Sequence, residues 1–271
     1  MEGTVDGFRY GVVTPLAAYV MACLGGALGL RCIVRSLLHT GSWKPGWLAL
    51  GAASIGCGIW TMHFIAMIGF QVEETRIGYH VGLTVLSLAV AVAVVAVGVF
   101  LVGYRGAGGA SLALAGVVTG LGVAAMHYLG MAAMHLDGSI RYDPPTVVLS
   151  VLIAVAAATA ALWAAVTVRG FLASLGASLV MGVAVSGMHF TAMAAVRVQV
   201  HGSTPSWAGD APTSLLLPML IGPVVFLLLA GVVVMFDPLL VLGDGEWNRP
   251  ARPGREEKAR KEPPGRSWSR H

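Results

Sequence analysis

The sequence predicts an all-α integral membrane protein of seven transmembrane helices, built as three repeated helix pairs plus a final helix. Three observations predict it. Hydrophobic residues make up 56% of the 271-residue chain and charged residues only 11%, which is too apolar for a soluble domain of this size. Seven stretches reach the roughly 20 apolar residues that a bilayer span requires. A Met-His-aromatic-x-x-Met motif closes every second stretch up to the sixth: Met62-His63-Phe64-Ile65-Ala66-Met67, Met126-His127-Tyr128-Leu129-Gly130-Met131 and Met188-His189-Phe190-Thr191-Ala192-Met193.

The first span, near Tyr10–Val34, is too long for a cleaved signal peptide and has the acids Glu2 and Asp6 ahead of it. The second, Gly46–Phe70, ends in the first motif. The third and fourth, Val81–Gly103 and Ser111–Met134, repeat the pair and end in the second motif. The fifth and sixth, Thr146–Val168 and Phe171–Val196, repeat it again. The seventh, Ser214–Phe236, has no motif and carries Pro218 and Pro223, which predict a kink or mark its start. None of the seven holds an Asp, Glu or Lys in its interior. Residues 10–236 therefore read as one seven-helix membrane domain. Residues 237–271 are polar and Pro-rich, and are expected to form a disordered cytoplasmic tail that lies against anionic lipid. At about 35 residues, that tail is too short for a folded output domain.

Lys and Arg set orientation. With the N-terminus outside, the inner loops hold Arg31, Arg35, Lys44, Arg105 and Arg169, and the tail adds eight more basic residues. The outer segments hold only Arg9, Arg76, Arg141 and Arg197. An N-out, C-in topology follows, and the net charge of +4 is a topology signal rather than a nucleic-acid footprint. Cys23, Cys32 and Cys57 form no CxxC and lie in or at the ends of spans, so they read as small buried hydrophobes. Trp60, Tyr79, Tyr142 and Trp207 read as aromatic-belt anchors at the outer boundary.

Within each motif, residues four apart share a helical face, at about 100° per residue. His63 pairs with Met67, His127 with Met131 and His189 with Met193. Each His lies about seven residues from the outer end of its span, roughly 10 Å deep. Three His/Met pairs at one depth on three helices of the same direction describe a metal site in a bundle core. Met62, Met126 and Met188 point about 100° away from their neighbouring His and are set toward a neighbouring helix or a second site. Each motif is preceded by a glycine six residues before its first Met, at Gly56, Gly120 and Gly182. Such small residues let membrane helices approach closely, and are expected to bring the three motif helices together. Thioether with neutral imidazole suits copper, and zinc less well because thioether is a poor zinc ligand. A haem held by His/His or His/Met ligation would use the same residues. His80, His135 and His201 are candidates to line the entry to the site or to hydrogen-bond its ligands from behind, or else are ordinary interfacial histidines.

These residues resemble the MHYT domain, a bacterial integral membrane module named for a Met-His-Tyr-Thr motif, and the resemblance covers about residues 10 to 236. Phe64 and Phe190 replace the Tyr of the name, and Ile65 and Leu129 replace the Thr, which leaves Met and His as the common chemistry. The resemblance implies a non-enzymatic, multi-pass plasma-membrane sensor of a diatomic gas (oxygen, carbon monoxide or nitric oxide) or of redox state, acting through copper held by Met and His. Family members often carry cytoplasmic cyclic-di-GMP synthesis or hydrolysis domains or a kinase. This sequence shows none, so its output is expected to pass to a separate cytoplasmic signalling partner. A copper-handling or transport protein and a haem-binding electron-transfer subunit are the alternatives. The absence of intramembrane carboxylates argues against proton-coupled transport.

Overall fold

The computed structural model describes residues 3–7, 9–38, 43–106, 108–200 and 212–237. Seven helices carry the architecture: α1 (Val13–Leu38), α2 (Lys44–Ile68), α3 (Val81–Arg105), α4 (Gly109–Ala133), α5 (Pro144–Thr167), α6 (Phe171–Ala194) and α7 (Pro212–Met235). All seven are long and apolar enough to cross a membrane, and each falls within a few residues of its predicted span. Pro218 and Pro223 lie inside α7 rather than ahead of it.

Six short strands, invisible in the sequence pattern, group at the motif end of the helices: β1 (Val5–Asp6), β2 (Gln71–Val72), β3 (Gly78–Tyr79), β4 (Met134–His135), β5 (Gly138–Tyr142) and β6 (Val196–Val200). They pair antiparallel as β1–β2, β3–β4 and β5–β6. In each pair, one strand precedes an odd helix and the other follows the even helix next in the chain. The first six helices are thus three βααβ units. Each unit closes on an equivalent backbone hydrogen bond, donated by the N–H of Arg9, His80 or Asp143 to the carbonyl of Gly69, Ala133 or Ala195.

The units join as a ring in which α1, α2, α3, α4, α5 and α6 each pack against the next, and α6 closes onto α1. The glycines ahead of the motifs build this ring in a way that differs from expectation. A side chain at Gly56 would strike Val92 of α3, one at Gly120 would strike Val155 of α5, and one at Gly182 would strike Cys23 and Tyr19 of α1. They seat each motif helix against the odd helix beside it, not against the other motif helices. With the even helices wedged between odd ones, their motif faces turn to the ring axis. α7 lies outside the ring, where Leu227, Ala230 and Val234 pack on Leu28 and Cys32 of α1 and Cys57 of α2. The three cysteines are free, and Cys32 and Cys57 are buried.

Around the perimeter, Val85, Val97, Leu121, Leu152, Val180 and Leu228 are exposed, the apolar surface that lipid covers in a spanning bundle. The expected aromatic belt is partly misplaced. Trp60 and Tyr79 are buried in the main core, and Trp60 Nε1 donates to Ser87 Oγ at 2.9 Å. Their rings fill the space between α2 and its neighbours because the ring of helices encloses α2 more fully than any other. Trp207, His201 and the tail beyond Asp237 lie outside the described residues.

Candidate metal centre

His63, His127 and His189 converge on the ring axis, each about 1% exposed. Each sits five or six residues before the end of α2, α4 or α6, so the three helices deliver their imidazoles at one depth. The Nδ1 atoms form a triangle with edges of 3.1 Å (His63–His189), 3.1 Å (His63–His127) and 3.3 Å (His127–His189). The rings stand edge to face, with centroids 4.8 to 5.1 Å apart. The aromatic residue following each His in sequence packs on it: Phe64 on His63, Tyr128 on His127 and Phe190 on His189. Tyr128 also shares a hydrogen bond with Ser150, its Oη 2.9 Å from Ser150 Oγ, and meets Tyr142 edge to face.

Protons alone cannot satisfy this triangle. Each Nδ1 of a neutral imidazole is either a donor or an acceptor, and among three nitrogens two must be of the same kind. One edge therefore always sets lone pair against lone pair, or hydrogen against hydrogen. Among the described residues, the Nε2 atoms of His63 and His127 are also buried without a hydrogen-bond partner, which makes the cluster costly as a plain polar network. A cation at the centre removes the conflict, because all three Nδ1 lone pairs can then point inward. The size fits: an edge of about 3.2 Å divided by √3 gives about 1.8 Å from centre to nitrogen. Metal–imidazole bonds run about 2.0–2.1 Å, so an ion at or just off the centre reaches all three.

The methionines distribute around this triangle. Met67 and Met131 are fully buried, and Met193 is half-buried, one turn beyond each His toward the strand pairs. Met62 packs among Ala18, Ala22 and Ala66, at the face of α2 that meets α1. Met126 is buried in the main core, and Met188 lines a cavity on the other side of the triangle. Cys57 belongs to the α7 seam and is not among the grouped ligands. His80 caps α3, its Nδ1 accepting from Leu83 N at 3.4 Å, and His135 pairs in β4. Neither joins the triangle.

One feature of the site escaped the sequence reading. Gly130 lies against His63: a Cβ there would stand 2.5 Å from His63 Nε2. It is three residues after His127, but its partner is on another helix, so no spacing in the chain marks it.

The chain is 42% identical over 193 residues to the bifunctional diguanylate cyclase/cyclic di-GMP phosphodiesterase MucR of Pseudomonas aeruginosa, a match covering 69% of this chain and 28% of that protein. It is 37% identical over 235 residues to the cyclic di-GMP phosphodiesterase NbdA of the same organism, covering 82% and 29%. It is 28% identical over 193 residues to the signaling protein YkoW of Bacillus subtilis, covering 69% and 24%. The chain thus spans less than a third of the length of these relatives. No solved structure matches it. The family profile described as a bacterial signalling protein N-terminal repeat matches three times, at residues 56–116, 120–178 and 182–239. Each match begins at one of the glycines Gly56, Gly120 and Gly182, so the profile's repeat runs from an even helix into the following odd one. The structural unit is the same repeat read in the other phase. With its three motif helices, seven apolar spans and three matched repeats, the chain belongs to the MHYT family of multi-pass bacterial membrane signalling modules.

Proposed function

We propose that this membrane signalling module binds one copper ion through His63, His127 and His189, and senses a diatomic gas or redox state there. The observation that carries the reading is the nitrogen triangle, whose three buried Nδ1 atoms have no consistent proton arrangement and an ion-sized centre. Three neutral imidazoles beside a thioether layer suit copper better than zinc. A haem is disfavoured by the same distances. Two axial imidazoles straddling an iron lie about 4 Å apart, twice a metal–nitrogen bond, whereas these nitrogens are 3.1 to 3.3 Å apart and face a common point.

Bound copper would supply a centre that changes charge on oxidation and takes a gas as a further ligand. The chain's own residues hold that centre in a dry, rigid setting. Phe64, Tyr128 and Phe190 fix the imidazole planes, and the βααβ closures hold the helix ends. A change at the triangle would move α2, α4 and α6 against their odd neighbours. α2 runs from His63 to the opposite end, where Trp47 packs under Arg35 and Arg35 pairs with Asp237 at the end of α7. That connection leads toward a cytoplasmic signalling partner. The names of the Pseudomonas relatives point to cyclic di-GMP turnover as the class of output.

Metal analysis together with an absorption spectrum tests the assignment. The copper-loaded protein should carry about one copper per chain and show no Soret band. A Soret band, or failure to retain copper against a weak chelator, overturns it.

A further inference from the structure

About one turn before the histidines, on the side away from the strand pairs, the six ring helices line an apolar cavity. It has about 50 Å³ of room for the centres of water-sized molecules. All six ring helices contribute to its wall, and the even ones do so in register with the histidines. Ile59, Val123 and Val185 line it four residues before His63, His127 and His189, and Ile55, Thr119 and Met181 line it eight residues before. Four residues are about 6 Å of helix rise on nearly the same face. Each motif helix therefore runs one continuous stripe, from two cavity-wall residues to its His, and Met188, the residue before His189, also lines the chamber.

We propose that this chamber is a binding site for a small apolar gas molecule, which approaches the histidine triangle along the three motif-helix stripes from its membrane-buried side. The inference rests on the proposed function for what the gas does at the triangle, but the occupancy of the chamber stands apart from metal. Water does not suit it. A buried water needs two to four polar partners, whereas Thr119 is the one polar residue in the lining, and its hydroxyl is already aimed at the Val94 carbonyl, 3.5 Å away. Enclosed apolar cavities stay dry and take up apolar guests such as xenon. Approach from the other side passes the Met67, Met131 and Met193 layer and the strand pairs, so the chamber offers a separate, apolar route toward the triangle.

The test uses the metal-free full chain in detergent and xenon as the probe, followed by ¹²⁹Xe chemical shift as xenon is titrated. The wild-type protein should show a saturable component above linear partitioning into the micelle. Ala158→Leu and Val95→Phe each fill the chamber from a different helix and should abolish that component, provided far-UV circular dichroism shows the fold kept. Two positions guard against one variant failing to fold. A folded wild-type protein with no saturable component overturns the proposal, as does equal saturation in both filled variants. A lipid chain that co-purifies and must be removed before xenon binds also overturns it, because the natural occupant is then lipid. If xenon saturates but copper does not bind, the chamber stands and the copper reading falls. If copper binds and xenon does not saturate, the reverse holds.

Discussion

Gly130 on α4 leaves the space that His63 on α2 occupies: a methyl group at position 130 would sit 2.5 Å from His63 Nε2 and 3.3 Å from Phe64 Cζ. The two residues are 67 positions apart in the chain, yet one sets the position of the other. Gly130→Ala should displace the His63 ring and weaken copper binding. Overpacking typically costs about 1–3 kcal/mol, which corresponds to about a five- to hundredfold loss of affinity if the bound state carries it all. Gly187→Ala is the control, because a Cβ at Gly187 meets nothing within 4 Å, two residues before His189. Competition titration with a copper chelator should separate the two variants, and equal affinities would contradict the packing argument.

How much of this was legible in the sequence can be argued residue by residue. The spans were legible because apolar length is a one-dimensional property, and the motif helices because the motif recurs at a near-constant interval. The convergence of His63, His127 and His189 followed from equal depth on helices of the same direction. Ile59, Val123 and Val185 could have been found by the same arithmetic, since they share a face with the histidines; only the void they line needed coordinates. The strand pairs were not legible, because pairs such as Val5–Asp6 with Gln71–Val72 are two residues long and carry no periodicity. Trp60 and Tyr79 were misread as belt residues because proximity to a helix end does not tell which way a ring points. Gly56, Gly120 and Gly182 were rightly read as points of close approach but were assigned the wrong partners. Sequence marks a small residue without naming what fills the space beside it.

Arg35 and Asp237 pair at 2.8 Å, with side chains only 8% and 10% exposed, tying the end of α7 to α1. The guanidinium also lies over Trp47 of α2, 5.3 Å from the ring centroid. Arg35→Ala takes the guanidinium away from a carboxylate only 10% exposed, and removing one member of a buried ion pair typically costs about 3–5 kcal/mol. Thermal unfolding in detergent should show that loss. The double variant Arg35→Met with Asp237→Leu should recover most of it, because no buried charge remains. A double variant as unstable as the single one would show that packing, not the pair, holds α7.

The N-terminal strand depends on pH through Glu74. Its carboxylate accepts from Thr4 N at 2.9 and 3.0 Å, and hydrogen bonding from the Thr4 side chain first, then from the Thr4 backbone, holds its pKa below the ordinary glutamate value. A depressed carboxylate pKa contributes stability above its unfolded value of about 4.3, and that contribution is lost as pH falls through the lower folded value. Amide exchange over residues 3–6, corrected for intrinsic rate, should therefore remain protected at about pH 6 and open near pH 3. Glu74→Gln should open the segment already at about pH 6. Unchanged protection in that variant would assign the strand's order to its backbone pairing alone.

An N-out orientation places Glu74 on the external side and Arg105, at the end of α3, on the cytoplasmic side. Single cysteines at these positions, probed in intact cells with a membrane-impermeant reagent, should label at 74 and not at 105. Labelling at 105 alone would invert the topology and put the triangle near the cytoplasmic face.

The central claim is that three histidines, one from each repeat, share one copper ion. X-ray absorption at the copper edge of the loaded protein addresses it most directly. The account predicts a nearest shell dominated by three nitrogens at about 2.0 Å, with the outer-shell scattering of imidazole rings, and loss of that imidazole pattern in His127→Ala. A shell made of sulfur alone, or a spectrum unchanged by His127→Ala, would contradict it.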